Sequence, residues 1–107
     1  MIKRFPLYKE EPPDRIEHII DDKGLILHSN INHRNSITGE DIVGCYVSDF
    51  LTEHDTKMYY KSIKTCLRIG CAVCTFEIDG KIIICSMQQI SSQRVKVTEI
   101  VINCLTK

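Results

Sequence analysis

The chain has 107 residues, with 14 Lys plus Arg against 14 Asp plus Glu, so its formal charge is zero, and 43% of it is apolar. That length favours one domain able to bury roughly two thirds of its unfolded surface. Balanced charge argues against binding a nucleic-acid backbone, which needs a concentrated basic surface, and against a polybasic membrane anchor. No run approaches the about 18 apolar residues that span a bilayer. Residues 1–15, MIKRFPLYKEEPPDR, are charged, hold all three prolines and lack the apolar core of a signal peptide. The expectation is a cytoplasmic protein with reduced thiols, in which residues 1–15 form a tail or cap and residues 16–107 form the domain.

Residues 16–30, IEHIIDDKGLILHSN, read as strand, turn, strand. Gly24 supplies the left-handed backbone a tight turn needs. From Asn30 to Glu53 the chain is rich in Asn, Ser, Thr and Asp and is broken by Gly39 and Gly44, which suits short helical turns and loops. Thr52 and Asp55 fit a capping box, with Thr52 as N-cap. Behind them Tyr59, Ile63, Cys66 and Leu67 form one apolar helix face. Gly70 closes the helix as a left-handed cap, so a helix is expected over about residues 56–69.

The last third is β. Cys71–Ile78 and Lys81–Ile90 flank Asp79-Gly80, a strong hairpin signal. A final strand over Val95–Leu105 shifts its apolar side from Val95 and Val97 to Ile100 and Ile102. That shift predicts a bulge near Thr98-Glu99, or apolar contacts on both faces. The expected fold is α+β: a five-stranded antiparallel sheet with short helices and one longer helix on one face, and a gap between helix and sheet.

This ordered set resembles a PAS domain over about residues 16–105. The features that carry the resemblance are the Asp21–Gly24 turn and Asn30 ending the second strand. Gly39-Glu40-Asp41-Ile42-Val43-Gly44 follows, then Asp49-Phe50-Leu51, and Asp55 opening the helix. A Gly-ended helix, a hairpin and a last strand complete it. The family's frequent Asp-Ile-Thr exit is missing, since Val101-Ile102-Asn103-Cys104-Leu105 stands there. The resemblance implies a sensory and dimerisation module switching through sheet or dimer packing. A ligand would meet Tyr59, Ile63, Cys66 and Leu67 on the helix, with Phe76 and Ile84 on the sheet. It names no cofactor. The expected helix has no His beyond its first turn, which argues against haem. Cys45 does not sit where a flavin-adduct cysteine would.

Six cysteines are many. Cys71-Ala72-Val73-Cys74 is a CxxC at a strand start, where an offset of three puts the side chains on opposite faces. Buried small hydrophobes account for it better than redox use, which favours a helix N-terminus. Zinc would need two further converging ligands. Cys85 and Cys104, on neighbouring strands, offer no fixed spacing. Asp49, Glu53 and Asp55 read as helix caps, and His54 as a solvated capping residue. No catalytic spacing appears, so no enzyme is expected.

Ile82, Ile83 and Ile84 in a row leave the outer sheet face partly apolar. Phe5, Leu7 and Tyr8 of the N-terminal segment, or a second copy, would cover it, and a homodimer is expected. An effector or partner protein is also implied. The alternatives are a ligand-free interaction module of the same fold, marked by large side chains closing the gap, and a thiol-redox or metal protein using Cys71 and Cys74.

Overall fold

Strand-forming residues cluster towards the two ends of the chain, and they meet in one sheet. The computed structural model describes residues 16–30, 42–78 and 80–103. Five strands follow in chain order: β1 (Ile16–Asp21), β2 (Ile26–Ser29), β3 (Cys71–Ile78), β4 (Lys81–Ser91) and β5 (Arg94–Asn103). A short 3-10 turn (Val47–Asp49) and the helix α1 (Glu53–Ile69) lie between β2 and β3. The sheet is antiparallel in the order β2-β1-β5-β4-β3. The fold is therefore α+β, with α1 packed chiefly on β3, β4 and β5.

The first turn is built by its own side chains. Asp21 Oδ1 accepts hydrogen bonds from the amides of Lys23 and Leu25, each at 2.9 Å. Gly24 takes a φ of 81°. Its missing side chain leaves room for Tyr60 of α1, whose hydroxyl donates to the Lys23 carbonyl at 2.6 Å. The hairpin is thus fastened to the helix. Asn30 ends β2 as expected: its Oδ1 accepts from the Glu17 amide at 2.9 Å, and its own amide donates to the Glu17 carbonyl at 3.1 Å.

The helix starts at Glu53, slightly before the expected residue 56, because Thr52 caps it by accepting from the Asp55 amide at 3.2 Å. Gly70 ends it at a φ of 103°, with its amide donating to the Cys66 carbonyl. Asp49 also serves a cap, its Oδ2 accepting from the Tyr46 amide at 3.0 Å. Of the short helical turns expected before α1, Val47–Asp49 is the one among the described residues. Residues 31–41, the N-terminal segment with Phe5, Leu7 and Tyr8, and Cys104 lie outside them.

Of the two readings of the apolar shift in β5, apolar residues on both faces is the one found, and no bulge occurs at Thr98-Glu99. There β5 keeps regular register with both β1 and β4, and the register shifts lie at Ile19/Ile20 in β1 and Gln89/Ser91 in β4. The apolar side changes because Glu99 occupies an inward place that an aliphatic residue would otherwise fill, while Ile100 and Ile102 point outward. Among the described residues no helix is long and apolar enough to cross a membrane.

A Cβ added at Gly24 would lie 2.5 Å from the Tyr60 hydroxyl oxygen, whereas one added at Gly70 meets nothing within 4 Å. Both positions carry a positive φ, which disfavours a side chain by about 1–2 kcal/mol. Gly24→Ala should add about 1–3 kcal/mol of overpacking or the loss of the Tyr60 bond. Urea unfolding should show a clearly lower midpoint for Gly24→Ala than for Gly70→Ala.

Candidate functional site

Period-two alternation decides which side chains face α1. From β1 these are Ile16, His18 and Ile20; from β5, Val95, Val97 and Glu99; from β4, Ile83, Cys85 and Met87; from β3, Cys74 and Phe76. All are buried. From the helix side Tyr59, Ile63 and Cys66 close onto them, and Leu67 packs at the margin, half-buried. Tyr59 stacks on Phe76 with ring centroids 5.9 Å apart and planes 8° from parallel. The two rings fill the space between this part of α1 and the sheet.

Five of the six expected gap-lining residues therefore lie between helix and sheet. Ile84 does not. It is flanked by the inward Ile83 and Cys85, and it pairs with Thr75 and Ile100, both exposed. The residue facing α1 is Ile83. Three consecutive isoleucines carry no alternation from which to read the face, and a slip of one residue exchanges the faces.

A polar row crosses this apolar layer. Ser29 Oγ lies 2.8 Å from His18 Nδ1, and His18 Nε2 lies 3.2 Å from Glu99 Oε2. His18 is 5% exposed and Glu99 4%. The contact is close but not aligned as a hydrogen bond, and Glu99 Oε2 has no hydrogen-bond partner among the described residues. Glu99 is paired across the strands with Cys85, which is paired with Cys74. Cys85 across the strand pair and Ser62 of α1 lie near Cys74 and hold its thiol below the ordinary range, while Cys85 itself is pushed well up beside Cys74. Burial pushes the Tyr59 phenol well above its ordinary value, and the nearby Cys85, Glu99 and Cys74 push it the same way. Tyr59 is thus a neutral phenol over one end of the row.

Cys71 is exposed and Cys74 buried, so the CxxC spans opposite faces and its two thiols do not converge. Cys85 meets Cys74 instead. Among the described residues no group of three or more His, Cys, Asp or Glu side chains is placed to hold a metal ion. His54 is exposed in the first turn of α1, and Glu53 and Asp55 occupy that same turn.

Sequence reasoning missed His18, Glu99 and the Cys74–Cys85 pairing. The last had a readable signal. A two-residue Asp-Gly turn sets Ile78 opposite Lys81, and counting back along both strands sets Cys74 opposite Cys85. The His18–Glu99 contact joins the first strand to the last and has no such local signal.

Compared with protein-family models and with curated proteins, the chain matches none.

Removing one member of a buried acidic–basic pair typically costs about 3–5 kcal/mol, whereas replacing both by apolar residues is often near neutral. His18→Leu should therefore destabilise strongly, and His18→Leu with Glu99→Leu should recover most of the loss. A double-mutant cycle from urea unfolding reads this coupling. Tyr59 gives a second test. Its folded pKa is raised above the unfolded value, so its contribution is fully present below about pH 10 and is lost as pH rises towards the folded value. Tyr59→Phe should flatten that alkaline decline in unfolding midpoint.

Proposed function

We propose that this chain is a PAS-like signalling module that works by association through the outer face of its sheet, with the helix–sheet interior as its regulated core. The observation that carries this is a contiguous apolar patch. Ile84 pairs with Ile100, and Ile82 with Ile102, in adjacent rows of β4 and β5. Ile82, Ile100 and Ile102 are 36%, 53% and 45% exposed, and Val73 on β3, two residues from the Thr75 that pairs with Ile84, is 63% exposed. An antiparallel sheet facing water on one side ordinarily alternates apolar and polar residues there. Here that end of the face does not.

The PAS-like reading draws support from the jobs its motif residues do. Gly24 makes room for Tyr60, Asn30 satisfies the Glu17 backbone, Asp49 and Asp55 stand at cap positions, and Gly70 ends α1. The element order of two strands, a helical segment and three strands agrees with the same reading. The Tyr59–Phe76 stack favours the form of the module whose interior is filled by its own side chains over one that holds a large ligand. A second reading, a small polar ligand sensed inside, rests on Glu99 Oε2, which is buried without a hydrogen-bond partner among the described residues.

The occupant of the patch is a second copy, in a two-fold arrangement that sets the patch against itself. Completing the burial of a half-exposed aliphatic side chain gains about 1 kcal/mol. Val73, Ile82, Ile100 and Ile102 on each copy give about 8 kcal/mol, against an association cost of about 4–15 kcal/mol. The balance describes a weak, concentration-dependent dimer. Sedimentation should show reversible dimerisation at concentrations on the order of micromolar to millimolar. Ile100→Lys should weaken it at least about tenfold, a loss of about 1.4 kcal/mol, and leave the unfolding midpoint nearly unchanged. A monomer at every concentration would refute association, and an absorption spectrum with native mass spectrometry would reveal any bound small molecule.

A further inference from the structure

The inner face opposes two cysteines directly. Cys74 on β3 and Cys85 on β4 are register partners, both buried and both free thiols. Opposed residues hold their Cβ atoms about 4.5–5.5 Å apart, and a relaxed disulfide asks for about 3.5–4.5 Å. Closing the bond therefore needs one strand to move inward by about 1 Å. β3 is the strand able to do so, because it ends the sheet and has β4 as its only strand neighbour among the described residues.

We propose that Cys74 and Cys85 form a reversible thiol–disulfide pair that reacts with a hydroperoxide, Cys74 attacking and Cys85 resolving. In the first step the Cys74 thiolate attacks a peroxide oxygen. The S–O bond forms, the O–O bond breaks, and the departing oxygen takes a proton and leaves as water or an alcohol. The sulfur is oxidised to a sulfenic acid and the peroxide is reduced. In the second step the Cys85 sulfur attacks the Cys74 sulfur. The S–S bond forms, the S–O bond breaks, and the hydroxyl leaves as water with the Cys85 proton. Two thiols and one hydroperoxide thus yield a disulfide, one water, and one further water or alcohol.

The roles follow from position, and the local electrostatics agree. Neighbouring Cys85 and Ser62 hold the Cys74 thiol below the ordinary range, against the opposing effects of burial, Glu99 and Asp55. Cys85 is pushed well up by its Cys74 neighbour, by its burial and by Glu99. Cys74 is 6% exposed on the terminal strand, while Cys85 is fully enclosed at 0%, so an incoming oxidant meets Cys74 first. Closure would draw β3 towards β4 beneath Tyr59 and Ser62 of α1. It takes place on the face opposite the apolar patch and does not depend on association there.

The test uses the full, reduced chain. It is treated with graded hydrogen peroxide, unreacted thiols are alkylated in denaturant, and the peptides are mapped by mass spectrometry. The expected product is a Cys74–Cys85 cross-link with a mass loss of about 2 Da, restored by dithiothreitol and formed at lower peroxide than oxidation of Cys45 or Cys71. In Cys85→Ser, Cys74 should accumulate as a sulfenic acid trapped by dimedone; in Cys74→Ser, Cys85 should stay reduced. The wild-type cross-link decides by itself should either variant not fold. Full alkylation of Cys74 and Cys85 at doses that oxidise Cys71 would overturn the proposal, as would a cross-link between Cys66 and Cys71 in its place.

Discussion

The ladder between β1 and β5 holds the two ends of the described chain in one sheet. It joins the first described strand to the last, from Ile16 opposite Glu99 to Asp21 opposite Arg94. A two-stranded ribbon is marginal in water, so the opening hairpin relies on this distant partner. The helix secures it from the other side, where Tyr60 lies over Gly24 and bonds the Lys23 carbonyl. Because β5 also pairs with β4, its register determines what faces α1 across the middle of the sheet.

That register gives the sheet two unlike faces. The inner one is closed by Tyr59, Ile63, Cys66 and Phe76 yet carries His18, Glu99 and the paired thiols within it. Burying the polar Glu99 side chain opposes folding, since it loses its water and its Oε2 has no hydrogen-bond partner among the described residues to offset that loss. Aliphatic residues in place of both His18 and Glu99 would hold the fold nearly as well. Stability alone therefore gives little reason for the polar row. The outer face has the opposite imbalance, with isoleucines where water would favour polar groups.

Features set by near neighbours were legible in the sequence. The Gly24 turn, the Thr52 cap with Asp55, the Gly70 stop and the Asp79-Gly80 hairpin each depend on residues a few positions apart. Tyr59, Ile63 and Cys66 were placed by helical period for the same reason. Ile84 was misassigned because its neighbours are also isoleucines, so composition gives no phase; the turn at Gly80 would have given it. Around Glu99 the sequence leaves a bulge and two apolar faces equally open, since a buried acid makes sense only beside His18, which is distant in the chain. His18 offers no local hint of that partner.

The two faces of the sheet do different work, the outer one associating and the inner one staying closed. Isoleucine methyl NMR on serial dilution tests this most directly, because the chain places isoleucines on both faces. The claim predicts that the methyl signals of Ile82, Ile84, Ile100 and Ile102 move together with concentration while those of Ile20, Ile63 and Ile83 stay fixed. Signals that are all independent of concentration, or movement centred on Ile63 and Ile83, would contradict it.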